Sequence, residues 1–364
     1  MRRSLLAVSA LLLLTAGAAA DWPLFRGDPL MSGVGTARLP EQLAERWRFK
    51  TGDAIEGAPA VAGGVVYVGS FDKHLYALDL ATGKEKWKAK LGHLKASPSV
   101  RDGKVFVGNL DGKFFCLSAA DGKQLWTFET EGEITSGCNF HGNNVLIGSH
   151  DSTLYCLSPE GKKLWDVRTD GPVNGSPVVI GDTTFVAGCD SKFHVLNAKT
   201  GEEIGAIELD GQAAATAAVA GDAAYVGTMA NQVVAVDWKT RKKLWAFEAP
   251  QRQQPFYASA AVTKDMVIAG SRDAKVYGLD RATGKQVWSF TTDGVVDASP
   301  VVVGERVYVG CLSRDGLFYV LDLKTGRKVQ EVEVDGPVSG SVAVGPDCVL
   351  VGTDRGTVYC LGSK

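Results

Sequence analysis

The chain has 364 residues, 43 of them glycine, against roughly 25 expected at the usual usage of about 7%. Hydrophobic residues make up 45%, charged residues 22%, and the formal net charge is −2. This excludes a disordered chain, which needs low hydrophobicity and high net charge; the glycines have no three-residue period, which excludes collagen, and the absence of a basic block gives nucleic-acid binding no electrostatic footprint.

In chain order, Arg2 and Arg3 precede an apolar run from Leu5 to Leu14, and Ala18-Ala19-Ala20 follows before Asp21. That order is expected of a cleaved secretory signal over residues 1–20, with a periplasmic or secreted mature protein. The apolar run is short for a bilayer span, and no later segment reaches about 18 apolar residues, so no transmembrane segment is expected. No cysteine stands beside the cleavage site to accept a lipid anchor. Without Arg2 and Arg3 the 39 basic residues become 37 against 41 acidic ones, a net charge of −4. Residues 21–44 read as an N-terminal lead-in segment.

The remainder repeats. The block at 58–87 returns at 97–126 and at 259–288. Its anchor glycine falls at Gly69, Gly108, Gly148, Gly188, Gly227, Gly270, Gly310 and Gly352, a spacing of 39 to 43 residues. Each unit holds a short β-prone run, a turn such as Asp102-Gly103, a strand ending at the anchor glycine, a polar turn, an alternating strand such as Leu75-Tyr76-Ala77-Leu78, and a last strand with tryptophan. Four short strands per unit of about 40 residues predict a propeller blade, so the fold class is all-β, an eight-bladed β-propeller spanning 45–362 as one domain. The turn after the anchor carries Asp72, Asp111, Asp151, Asp190, Asn231, Asp273, Asp315 or Asp354, a residue type that caps its own backbone in tight turns. The eighth unit stops at Tyr359-Cys360-Leu361, whereas Glu45-Arg46-Trp47-Arg48-Phe49 looks like Glu85-Lys86-Trp87-Lys88-Ala89. The N-terminal strand is therefore expected to complete the last blade and close the ring, hiding its sheet edges.

The stretch from Ala77 through Asp79, Thr82 and Gly83 to Trp87 matches the tryptophan-docking motif A-x-D-x-x-T-G-x-x-x-W, with further copies at 116–126, 235–245 and 278–288 and a shorter one at 156–165. The chain thereby resembles the pyrroloquinoline-quinone (PQQ) repeat propeller family over nearly all of its mature length, and its start at Asp21-Trp22-Pro23-Leu24-Phe25-Arg26-Gly27-Asp28 is similar to the usual start of such proteins. Gly205 and Gln330 stand where the pattern has tryptophan. The resemblance implies that Trp47, Trp87, Trp126, Trp165, Trp245 and Trp288 dock between blades as structural residues. They lie at the rim, away from the axis, so the motif names a fold and not a bound quinone.

No vicinal cysteine pair, serine-hydrolase, zinc-helix, phosphate-loop or EF-hand motif is found, and the chain is compact, so it is expected not to be an enzyme and to carry no catalytic or metal residues and no cofactor. His74, His93, His141, His150 and His194 fit no metal-ligand spacing. Seven cysteines leave at least one unpaired within a monomer, and Cys116, Cys156 and Cys360 share one place in three repeats that reads as buried strand.

One column breaks the repetition. Just before each first strand stand Glu56, Lys95, Ile134, Asn174, Ala214, Tyr257, Asp297 and Ser339, which change chemistry from unit to unit while their flanks do not. Convergent, differing polar groups are what recognition needs, so Glu56, Lys95, Asn174, Tyr257 and Asp297 are the candidate ligand or partner residues at the channel mouth. A solvated loop position free to drift is the alternative reading. In length and layout the chain resembles the BamB-type outer-membrane assembly factors. That resemblance implies a monomeric, exported, non-catalytic scaffold that binds envelope proteins, among them an outer-membrane assembly complex. A small PQQ-binding quinoprotein dehydrogenase and a ligand- or polysaccharide-binding propeller stay open as alternatives.

Overall fold

The computed structural model describes residues 21–250 and 253–363; the expected signal segment 1–20 lies outside them. There is no helix among the described residues. The strands form eight separate sheets, each with four antiparallel strands at its heart, consecutive in the chain in all but one. Blade 1 is Ala60–Ala62, Val65–Gly69, His74–Asp79 and Glu85–Lys90. Blades 2 to 7 repeat this over 99–129, 139–168, 178–208, 218–248, 261–291 and 301–333. Blade 8 consists of Ala343–Val344, Cys348–Gly352, Thr357–Gly362 and, as its outer strand, Ala44–Lys50, which places Phe49 opposite Val358 and Arg48 opposite Tyr359. The architecture is an eight-bladed β-propeller.

Local chemistry explains each turn. Asp102 and Gly103 both take positive φ, 50° and 70°, the type I′ geometry whose twist suits a two-residue hairpin. At the D-x-x-T-G turn, Asp79 Oδ1 accepts from Thr82 N at 2.9 Å and from Thr82 Oγ1 at 2.7 Å. Asp280 with Thr283, and Asp322 with Thr325, repeat the arrangement. The core lies between the sheets. Tyr67, Leu75 and Ala77 of blade 1 pack with Val105, Val107 and Leu117 of blade 2. The alternate residues Val66, Val68, Tyr76 and Leu78 pack with blade 8, as the two-residue period of a strand dictates.

Every outer strand carries a β-bulge at the same place. In blade 2 Gln124 faces Leu117 and Trp126 faces Cys116, which leaves Leu125 as the extra residue. The extra residues Leu125, Leu164, Ile204, Leu244 and Val287 are the half-exposed apolar side chains of the rim. The bulge re-aims the residue after it, and the tryptophan reaches the next blade. Trp87 Nε1 donates to Ala119 O at 3.0 Å, and its ring lies where a Cβ on Gly122 would come within 2.6 Å. Trp47 meets Gly83, Trp126 Gly161, Trp165 Gly201, Trp245 Gly284 and Trp288 Gly326 in the same way.

Both departures from the motif are matched by changes opposite them. Where Gly205 replaces tryptophan, Arg241 replaces the turn glycine, and its guanidinium lies over Gly205 and donates to Ile204 O at 2.9 Å. Gln330 faces the blade whose outer strand begins at Ala44, where no turn glycine exists. Its amide instead takes both backbone groups of Leu43, at 2.8 and 2.7 Å.

Two register assignments are corrected. In blade 4 the strand position is Ala187, paired with Phe193, and Gly188 follows it. Elsewhere the anchor glycine makes room for a large residue entering the next blade, such as Leu94 against Gly69 or Val338 against Gly310. At Ala187 that neighbour is Ala213, so two alanines share the volume. Ile134 belongs to this buried apolar column: a Cβ on Gly108 would meet it at 2.2 Å. The residue equivalent to Glu56 is Thr135, because Asn139 pairs with Leu146 as Ala60 pairs with Tyr67.

Residues 21–35 run under the inner strands and bond to their free edges. Trp22 pairs with Val61, and the carbonyls of Pro23, Pro29, Leu30, Ser32 and Gly33 accept from the amides of Val100, Val179, Val219, Val262 and Val302 at 2.7 to 3.0 Å. Arg26, 1% exposed, donates from Nη2 to Ala260 O and Pro300 O. Burial pushes its guanidinium down to about 9. This segment thus lies along the inner edges of the blades at one end of the central channel, and its Phe25 lines the channel cavity.

Candidate functional site

The opposite end of the channel is open. Glu56, Lys95, Thr135, Asn174, Ala214, Tyr257, Asp297 and Ser339 all line one cavity of about 600 Å³ there. All five proposed recognition residues are thus in one concavity, and Ile134 is replaced by Thr135. A second column was not singled out from the sequence: Phe71, Leu110, His150, Cys189, Met229, Arg272, Leu312 and Asp354. Each lies 15 residues after its mouth partner, from Glu56 to Phe71 through to Ser339 to Asp354. Its members sit on the loop between the second and third strands, beside the loop that carries the mouth column. The constant spacing from a variable column is the signal that finds them. Asp354 accordingly leaves the turn series: it takes the place of Phe71, because Gly352 pairs with Val358 as Gly69 pairs with Leu75. Asn231 also leaves it, standing one residue later at φ 63°, where Lys73 stands in blade 1.

The two columns bond to one another. Arg272 donates from Nε and Nη2 to the two oxygens of Asp297 at 2.8 and 2.7 Å and lies 4.0 Å over the Tyr257 ring. The carboxylate of Asp297 raises the Arg272 guanidinium above its ordinary value. Lys95 Nζ is 3.2 Å from Glu56, and Glu133 is 3.5 Å from His150 Nδ1. Thr135 Oγ1 bonds His150 Nε2 at 3.0 Å, and Asn174 Nδ2 donates to Cys189 Sγ at 2.9 Å. Asp354 accepts from Ser339; burial raises its carboxyl, and the charges of Glu56 and Asp297 add to the rise.

Below the mouth lies a chamber of about 150 Å³ lined in part by Phe25. Its wall is a ring of small residues two positions after the mouth column. There the amides of Ala58, Ser176, Thr216, Ser259 and Ser299 donate to the hydroxyls of Ser97, Thr216, Ser259, Ser299 and Ser341 in the next blade at 2.8 to 3.0 Å. The relay fails at Gly137, which has no hydroxyl and stands where Phe25 approaches. On that side Ser136 Oγ and Ser176 Oγ are buried with no partner.

The other chemistry-bearing side chains lie elsewhere. His194 joins Asp190 and Glu203 at 2.7 and 2.8 Å within blade 4, and His141 joins Asp182 at 2.9 Å. No group of three or more His, Cys, Asp or Glu side chains that could hold a metal occurs among the described residues. The cysteines are free thiols, and burial pushes Cys116 and Cys311 up to about 11 and Cys138 and Cys156 up to about 12. No helix among the described residues is long and apolar enough to cross a membrane.

The repeats and the docked tryptophans define a PQQ-type propeller. The sequence matches the family described as outer membrane protein assembly factor BamB over residues 39–146, 111–252 and 150–361, and the chain belongs to that family. BamB from Moraxella catarrhalis shares the fold at a TM-score of 0.75 and 19% identity, covering 89% of this chain and 98% of that one. The quinohemoprotein alcohol dehydrogenase of Comamonas testosteroni superposes at 0.81 with 14% identity, over 95% of this chain and 81% of that one. Identities this low are likenesses of fold. Protein Rv3035 of Mycobacterium tuberculosis is 39% identical over 74 residues, 19% of this chain and 17% of that protein, so the chain matches under a fifth of that relative's length.

Proposed function

We propose that this protein is an exported, non-catalytic scaffold of the cell envelope that holds a protein partner at the channel mouth and serves outer-membrane protein assembly, as its family's description states of its members. The observation that carries the reading is the mouth itself. Twelve positions of the two loop columns line it and differ in chemistry, on a ring built from one repeating unit. Its polar groups are largely paired with one another, which suits recognition by a preformed surface. The signal-like residues 1–20 support export. The quinoprotein reading fits the site less well. PQQ carries three carboxylates, and it would meet Glu56, Glu133, Asp297 and Asp354, while Lys95 and Arg272 are already engaged.

Affinity capture from envelope extract tests this, using the mature chain and a Glu56→Ala, Asp297→Ala double variant with the same melting temperature. The wild type is expected to enrich a component of outer-membrane protein assembly at least tenfold over the variant. Equal capture by both proteins, or PQQ- and calcium-dependent dye reduction by the wild type, overturns it.

A further inference from the structure

The chamber and mouth select one chemistry. We propose that the channel receives a single lysine side chain presented by the docking partner, its ammonium held between the acidic arc of blades 7, 8 and 1 and the free hydroxyls of blades 3 and 4. This rests on the mouth being the partner-binding surface and names what the partner must offer there.

The charge balance of the mouth favours a cation. Glu56, Glu133 and Asp297 line the mouth with two full cations, Lys95 and Arg272, and Asp354 stands near enough for the charges of Glu56 and Asp297 to act on it. Each cation is engaged by one carboxylate, Lys95 by Glu56 and Arg272 by both oxygens of Asp297. Asp354 stands half-buried behind Ser339, in no ion pair among the described residues and with the charges of Glu56 and Asp297 pressing on it. A concave, low-dielectric wall of one excess sign focuses the field on the opposite charge.

The shape of the channel independently favours an ammonium on a slender stem. Ser176 is 3% exposed, its Oγ has no partner, and it lines the chamber; Ser136 Oγ is buried and unpartnered beside it. A buried polar atom without a partner is costly unless something completes it. An ammonium has three donors in a compact head, which hydroxyl and carboxylate oxygens can accept, whereas a guanidinium is a wide planar fork. A chamber of about 150 Å³, reached through a mouth of about 600 Å³ that shares its rim, has the volume for an alkyl stem and not for a folded element. Phe71 at the mouth gives the stem an apolar wall. Phe25 sets the depth, and the buried Arg26 guanidinium, 6.0 Å from the Phe25 ring centre, repels a cation that would go further.

The experiment is calorimetric titration of the mature chain with N-acetyl-lysine amide, with its neutral isostere N-acetyl-norleucine amide, with spermidine, and with a lysine-containing peptide and its norleucine counterpart. Lysine amide and peptide are expected to bind and to weaken with salt, with the norleucine probes at least tenfold weaker. Glu56→Gln and Asp354→Asn should each weaken the lysine probes at least fivefold without loss of fold by circular dichroism, and Ser176→Ala should weaken them less. No binding of lysine probes at 10 mM, or equal binding of norleucine, overturns the inference. Spermidine binding tenfold tighter than the lysine peptide reassigns the site to a free polyamine and overturns it as well. If the lysine probes fail while the Glu56→Ala, Asp297→Ala variant still loses its partner, this inference falls and the scaffold reading stands.

Discussion

A single missing carbon atom sets the contact between blades. Gly122 has φ 71°, and a Cβ there would meet Trp87 at 2.6 Å. Gly103 has nearly the same φ, 70°, with nothing within 4 Å. The two therefore separate backbone strain from collision. Gly103→Ala should cost about 1–2 kcal/mol, the left-handed penalty alone. Gly122→Ala should cost about 2–4 kcal/mol, because overpacking adds to it. Urea denaturation of both variants checks the difference, and equal losses would show that the indole does not crowd the turn. The Gly205 and Arg241 pair makes a second case. Gly205→Trp alone drives an indole into Arg241, and Arg241→Gly alone gives up the bond to Ile204 O. The double variant rebuilds the dock found at six other boundaries, so its stability should exceed the sum of the single effects by about 1–3 kcal/mol in a double-mutant cycle.

At the scale of the strand, the outer edge of blade 8 is supplied by Ala44–Lys50, and Gln330 holds the residue before it through two backbone bonds. Gln330→Leu should lower stability by about 1–3 kcal/mol, since it strands both Leu43 groups. Deleting residues 44–50 should lower the melting temperature sharply, because it exposes the edge at Thr357–Gly362 and removes Trp47 from Gly83; an unchanged melting temperature in a thermal scan would show that this strand carries no stability. These elements were legible in the sequence because each blade buries both faces of its inner strands, alternates only on its outer strand and turns at fixed points, which stamps a period of about 40 on the chain. Single-residue register was less legible. Glycine marks the anchor only where the neighbour is large; with Ala213 opposite, Ala187 fills the place and the nearby Gly188 misleads. Likewise Ile134 lies beside Thr135, and only the pairing of Asn139 with Leu146 separates the core residue from the mouth residue. The mouth column showed itself by varying. Its partner column stayed hidden because Phe71, His150, Arg272 and Asp354 share no chemistry and each reads as a turn residue. The work of residues 21–35 was hidden too, since it is done largely by backbone carbonyls, to which sequence patterns are blind.

For the whole molecule, the carboxylates divide by place. On the outer turns Asp79, Asp280 and Asp322 accept hydrogen bonds from Thr82, Thr283 and Thr325, which hold each carboxyl below its ordinary value. A lowered value favours the folded state above the unfolded aspartate value near 3.9, and that contribution fades as pH falls through the lowered one. Asp354, at the channel, has the opposite sign. Burial raises its carboxyl, followed by the charges of Glu56 and Asp297, so ionising it opposes folding above the raised value and the opposition is relieved as pH falls toward 3.9. Asp354→Asn should therefore raise the melting temperature at pH 7, with the gain shrinking on acidification, while Asp79→Asn should lower it at pH 7 and approach the wild type only as pH falls below about 3.9 toward the lowered Asp79 value. Thermal scans of the two variants from pH 3 to 8 give the comparison, and a destabilised Asp354→Asn at pH 7 would contradict it. A ring that keeps a carboxylate at a cost in stability, beside a mouth where its blades differ, fits the trade that binding sites make against folding. The same Asp354→Asn protein should then be the more stable one and the poorer receptor for a lysine side chain, and only a role in recognition ties those two outcomes together.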